Sequence, residues 1–206
     1  MNERIRQLKD YIFGHQHHSL RRKVEWNLAD GFATENVPPV MRRAIALGKV
    51  LREEKPCFLP GERMAYLRTV ANLPALFTEA EMTALKEKYS FSEQGLPFNF
   101  TPDYGSVISQ GLDLLRQTLC ERRNRAAHDG DAAGAEFMEA AIMSVDAVLE
   151  LSDRYRAEAE RLGLKEIAET LSVVPHKGAT TLLQAMQFFR ILHYTLWCEG
   201  EYHNGI

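Results

Sequence analysis

The sequence predicts a mainly α fold, and three observations carry the prediction. Almost every apolar segment repeats at three- to four-residue spacing. Helix starts are marked by capping residues or by proline at the first helical position. No run alternates apolar and polar residues as a half-buried strand would. With 206 residues, 45% hydrophobic and 26% charged, the chain has globular composition and could bury roughly 70% of its unfolded surface.

In chain order, a short helix is expected near 2–13, followed by a polar, irregular stretch to Val37. Pro38 and Pro39 then open a helix with Val40, Ala44, Leu47 and Leu51 on one face, ended by Pro56. Residues 55–63, with two prolines and a glycine, read as an extended connector. Thr78 and Glu81 match a capping box, so a helix starts there. Residues 91–100 carry three aromatic rings with a glycine and a proline and read as a packed loop. Thr101 and Pro102 give an N-cap and N1 proline for a helix with Tyr104, Val107, Ile108, Gly111, Leu112, Leu115 and Leu119 on one stripe, Gly111 suggesting close packing. Asp129 or Asp131 caps a long helix whose inner face carries Phe137, Ala141, Val145, Val148, Ser152, Tyr155 and Ala159. A short helix near 164–171 ends before Pro175.

The last helix, over 180–197, is apolar on nearly every side and runs into a polar tip, 199–204 (EGEYHN). Such a helix must be surrounded by other protein, and its polar tip leads on into more structure, so the chain reads as the front part of something larger. Gln184, Gln187, Arg190 and His193 interrupt it, which argues against a membrane span.

The formal charge of −3 offers no field for nucleic acid or an anionic membrane. Cys57, Cys120 and Cys198 are widely spaced, which fits reduced thiols in the cytoplasm. The N-terminus has no apolar core of a signal peptide. Phosphate loops, nucleophile elbows and His-Glu-x-x-His are absent from the sequence.

Candidate chemistry is sparse. His15, His17 and His18 form a His-x-His-His cluster without ligating partners at useful spacing, and read as a solvated segment. His193, Cys198 and His203 do not form a metal set, because positions five apart on a helix point away from each other. Cys198 has no identifiable base and reads as a structural thiol. Arg116 and the 121–125 run (ERRNR) place cations at a helix C-terminus, where they offset its dipole. That structural role outweighs phosphate binding. No metal site and no catalytic residue is assigned.

Four segments, in order and spacing, resemble the N-terminal region of glycyl-radical enzymes, the pyruvate formate-lyase-like superfamily. They are 42–54 (RRAIALGKVLREE) leading to 60–62 (PGE), 101–112 (TPDYGSVISQGL), 141–155 (AIMSVDAVLELSDRY), and 166–169 (EIAE) through Val174-Pro175 to the helix ending at Cys198 and Glu199. They are closer to the dehydratase and eliminase-like branch than to formate acetyltransferase itself. The resemblance implies one pyruvate formate-lyase-like N-terminal helical domain over 1–206, wrapping a ten-stranded α/β barrel that is itself largely absent. It implies lyase or acyltransferase chemistry of anaerobic metabolism, in which a glycyl radical takes a hydrogen atom from a cysteine and the thiyl radical attacks the substrate. An iron–sulfur, S-adenosylmethionine-dependent activase installs the radical. Both radical positions lie beyond residue 206 in family members, so the chain holds no cofactor of its own and is not expected to be catalytic alone.

The loop before 101–104 resembles a segment that brings a polar, often histidine, side chain to the substrate. Its counterpart here is Asn99, which keeps hydrogen bonding but cannot transfer a proton near neutral pH. His203 and Asn204, where the family chain turns into the barrel, are the other substrate-binding candidates. The expected partners are a small polar metabolite in the full-length form only, the activase and a second copy as a homodimer, with no nucleic acid or membrane. The alternative is a stand-alone helical interaction module, for instance one half of a split enzyme. A helical metal- or phosphate-binding protein is the weakest reading.

Overall fold

The computed structural model describes residues 1–15, 24–59, 61–65, 74–89 and 102–198. The described residues form helices and connecting turns, with no strand among them. The helices are α1 (Glu3–Phe13), α2 (Ala29–Thr34), α3 (Pro39–Glu53), α4 (Glu79–Tyr89), α5 (Tyr104–Gln110), α6 (Leu112–His128), α7 (Ala132–Arg161), α8 (Lys165–Leu171) and α9 (Leu182–Cys198).

The 30-residue α7 is the spine. Its buried positions Ala140, Ala147, Val148, Leu151, Ser152, Tyr155 and Ala159 recur at helical spacing, and the small ones let neighbouring helices approach. α6 lies along residues 139–146, held by Arg116 to Asp146 (3.1 Å at Nη2) and Arg123 to Glu139 (2.7 Å). α3 lies against the C-terminal half. There Arg154 donates to the carbonyls of Leu51 and Glu54, satisfying the free acceptors at the end of α3 with a cation from its neighbour. Phe58 meets Tyr155 edge-on at 5.6 Å. Leu51, Leu151, Tyr155, Leu171, Val174, Phe188 and Ile191 are fully buried in one core.

Caps set the boundaries. Asn2 caps α1 through the amide of Ile5. Pro39 opens α3, which ends two residues short of Lys55, the residue that Pro56 pushes out of helical geometry. Thr78 and Glu81 form both arms of the capping box, Glu81 N donating to Thr78 Oγ1 (3.2 Å) and Thr78 N to Glu81 Oε2 (2.9 Å). Of the two aspartates, Asp131 caps α7 through the amide of Gly134 (2.8 Å), while Asp129 closes α6. Thr181 and Gln184 form a second capping box at the start of α9.

Arg42 is the tie for α4. It is 5% exposed, pairs with Glu81 and donates to the carbonyls of Val37 and Leu76, with the ring of Phe77 5.0 Å away. The guanidinium bond, then the Thr78 amide, hold the Glu81 carboxyl down at about 2.

Three expectations need correction. The stripe from Tyr104 to Leu119 is not one helix: Gly111 stands at φ +90° and divides α5 from α6. Its left-handed geometry and the packed backbone opposite, where a Cβ would overlap the carbonyl of His176, both require glycine. Phe137 does not face inward but is 56% exposed, because α6 and α7 meet there through polar side chains. The stretch before Val37 contains α2, whose Ala29 and Phe32 are buried. The 91–100 loop and the Thr101 cap lie outside the described residues, and Asp103 caps α5 through Ser106 N (3.0 Å).

Candidate functional site

The start of α5 and the last turns of α9 meet at one cleft. It measures about 120 Å³ and is lined by Pro102, Asp103, Tyr104, Val107, Leu192, Thr195 and Leu196, the Asp103 carboxylate being engaged by the amide of Ser106. Tyr104 packs on Phe189 (4.9 Å between ring centres) and Phe189 on His193 (5.9 Å), which fixes α9 against α5. The walls are apolar, and the hydroxyl of Thr195 is spent on the carbonyl of Ile191 (2.9 Å). The cleft therefore supplies shape and a dry surface, and polar recognition has to come from neighbouring residues.

The substrate-binding candidates Asn99, His203 and Asn204 lie outside the described residues. Of the described residues nearest to them in sequence, Pro102, three residues after Asn99, lines this cleft, whereas Cys198, five residues before His203, lies at a separate cavity with Arg43 and Val50.

The opposite end of α5 is closed by backbone. Leu112 N donates to Pro175 O (2.8 Å), Asp113 N to His176 O (3.1 Å) and Ala179 N to Ile108 O (2.8 Å). A side chain on Gly178 would overlap the carbonyl of Ser109. His176 adds a side-chain clamp, with Nδ1 2.9 Å from Asp113 Oδ1 and Nε2 3.3 Å from Asp153 Oδ1. The sequence reading missed this trio, for which the signal was a histidine directly after Pro175 facing aspartates on two helices.

Other candidates take structural places. Arg116 and Arg123 are engaged by α7 carboxylates, whose hydrogen bonds raise both guanidinium pKa values, so they are not free for phosphate. Cys198 is buried beside Arg43, Leu47 and Val50 at a cavity of about 40 Å³, while Cys57 and Cys120 are half-buried. His17, His18 and His203 lie outside the described residues. Among the described residues no group of three His, Cys, Asp or Glu side chains is placed to hold a metal ion, and no helix is long and apolar enough to cross a membrane.

On α9, His193 sits 3.5 Å from Arg190, and burial first, then that cation, lowers its pKa. In the sequence His193 reads as a member of the rejected metal set with Cys198 and His203, and both residues read as interruptions of an apolar helix. Their i, i+3 spacing was the available signal. The helix itself buries Gln187, Phe188, Ile191, Tyr194 and Cys198 on one side, whereas Leu182 is 77% and Met186 46% exposed on another. The described residues thus surround one side of the helix, not all of it.

Comparison with known proteins adds the following. The pyruvate formate lyase-like family description matches residues 77–205. No curated protein matches the sequence significantly. Among solved structures, the chain is similar to the Roseburia inulinivorans protein of 1,2-propanediol dehydration (TM-score 0.70, 19% identity, covering 97% of this chain and 32% of that one). It is similar to the B12-independent glycerol dehydratase from Clostridium butyricum (TM-score 0.68, 17% identity, 97% and 34%). A glycyl radical enzyme from Archaeoglobus fulgidus is a third (TM-score 0.65, 18% identity, 82% and 30%). At these identities the likeness is one of fold, and the chain spans about a third of the length of each.

Proposed function

The chain belongs to the pyruvate formate lyase-like family, and we propose that it forms the helical, substrate-flanking part of a glycyl-radical enzyme acting on a small polar metabolite. The observation that carries this is the convergence of the start of α5 and the last turns of α9 on one cleft with apolar walls. In this reading Asn99, His203 and Asn204 supply the polar contacts that the cleft walls lack. An amide at 99 accepts and donates hydrogen bonds to a hydroxyl without moving its proton. The two dehydration-related structures make vicinal diols the first substrates to assay.

The family's reaction would depend on a glycyl radical and a radical-carrying cysteine supplied outside this domain, with 1–206 as one pyruvate formate-lyase-like helical unit. None of Cys57, Cys120 and Cys198 is assigned that role, and no catalytic step is assigned to this chain. A radical S-adenosylmethionine activase and a second copy are the expected partners, in the cytoplasm.

The test is the mass of the native product in its source cell, captured with an antibody against 103–128. A product several times heavier than 23.5 kDa, dehydrating a 1,2-diol anaerobically after activation and losing affinity in Asn99→Ala, is expected. A 23.5 kDa product without a co-purifying barrel polypeptide would overturn the proposal. A 23.5 kDa product that brings down a second polypeptide would instead support a split enzyme, the reading that exposed Leu182 and Met186 on α9 favour.

A further inference from the structure

A guanidinium taken out of water needs an oxygen acceptor, and several partly or fully buried arginines here have one. Arg42 donates to Glu81, Arg116 to Asp146, Arg123 to Glu139 and Arg154 to two main-chain carbonyls, and Arg156 lies 3.5 Å from Asp153. Arg190 departs from this pattern. It is half-buried on α9 beside Tyr155 and Tyr194, and its hydrogen-bond contact among the described residues is a ring nitrogen, Nδ1 of His193 at 3.5 Å. Glu62 acts on it only through space, without reaching ion-pair distance.

The imidazole completes a donor set. A guanidinium can only donate, so Nδ1 turned to it accepts and the ring proton sits on Nε2, and burial with the adjacent cation lowers the His193 pKa in the same direction. A planar fork of guanidinium donors fits the two oxygens of a carboxylate, and the single positive charge balances a single negative one. A phosphate dianion would be left half-neutralised, since no second cation contacts Arg190 among the described residues.

We propose that Arg190 and His193 form a carboxylate-binding site on α9, with Arg190 holding both oxygens and His193 orienting the fork. The site stands whether or not the chain works within a radical enzyme. Its carboxylate comes either from a free small acid or from an acidic side chain of a polypeptide.

The deciding experiment follows the arginine Nε–H resonances of the 206-residue chain by NMR while acetate replaces chloride at constant ionic strength. The Arg190 resonance is expected to move and saturate, while those of exposed Arg122 and Arg125 drift without saturating. In the variants, which lack the Arg190 resonance, acetate binding is followed at the His193 ring resonances, and Arg190→Gln is expected to weaken it at least about tenfold, roughly 1.4 kcal/mol. Arg190→Lys, which keeps the charge but not the fork, should fall between, and serves if the glutamine variant fails to fold. A glutamate blocked at both main-chain ends distinguishes the sources: saturation by acetate alone indicates a free acid, saturation by both indicates that a side-chain carboxylate also fits. An Arg190 resonance that tracks Arg122 and Arg125 throughout, or a folded Arg190→Gln that binds acetate like the parent, would overturn the proposal.

Discussion

Where α5 passes into α6 the chain is stitched to residues 175–179 by three backbone hydrogen bonds, one from α5 and two from the start of α6, and by two glycines that admit no side chain, while at its N-terminal end α5 meets α9 through rings and aliphatic groups around a cleft. The first contact is directional and satisfied within the chain. The second is apolar, non-directional and leaves a concave surface. A chain that spends its polar pairing on one end and leaves the other dry has separated holding its fold from meeting something else. The sharpest way to break that contrast is Gly178→Ala. The new methyl would overlap the Ser109 carbonyl, and neither backbone can yield without losing the Ala179-to-Ile108 bond. A loss of about 3 kcal/mol is expected from overpacking and the broken bond together, read as a lower urea midpoint. An unchanged midpoint would show that the joint is not rigid. Gly111→Ala adds left-handed strain to an overlap of its own, with the His176 carbonyl, and should be at least as damaging.

The His176 clamp comes next. His176→Leu removes both imidazole contacts and leaves Asp113 and Asp153 facing an apolar group, costing about 1–3 kcal/mol. Hydrogen exchange at Leu112 and Ala179 should accelerate before exchange in the α6–α7 pair. If protection falls uniformly, the clamp stabilises the whole fold rather than the joint.

The Arg42–Glu81 tie tests whether α4 is held by the same polar logic. Its carboxyl stands at about 2 in the folded chain against an ordinary 4.5. A depressed carboxyl stabilises the fold above its unfolded value and loses that contribution as pH falls from about 4.5 towards 2. Glu81→Gln should therefore be less stable than the parent at neutral pH, and the gap should close across that acid range. Because Glu158 and Glu166 are also depressed by their arginines, the difference between the two curves, not either slope, is the quantity to measure.

The helices were legible where a signal was local. The Thr78–Glu81 box, Pro39 at the start of α3 and the spacing along α7 each depend on residues within a turn or two, and each element stands where that signal put it. What failed depended on partners far along the chain. Gly111 on an apolar stripe suggested close packing but not a break, because the backbone it accommodates lies at 176–177. Phe137 has the right period to be buried, yet period says nothing about whether α6 offers it an apolar partner. The cleft itself could not be read from spacing, since Tyr104 and Leu192 come together only through the fold. Asn99, His203 and Asn204 came from family resemblance rather than from their own pattern, and lie outside the described residues.

The smallest effect on stability, and the most direct probe of the dry side, belongs to α9. Leu182 is mostly and Met186 about half exposed, so the double change Leu182→Ser and Met186→Ser removes little buried contact and should move stability by no more than about 1 kcal/mol. Solution behaviour should change far more. Apolar side chains clustered at one end of a helix that buries its other side promote association, and serine at both positions should lower the apparent mass in concentration-dependent light scattering towards the 23.5 kDa of a single chain. If the parent is already a single chain at every concentration, these residues are ordinary surface leucine and methionine, and the meeting surface narrows to the cleft between α5 and α9. If instead the double change unfolds the chain, α9 is held from the side that now looks open. The division between a self-satisfied joint and a surface left for a partner would then have to be redrawn along this helix.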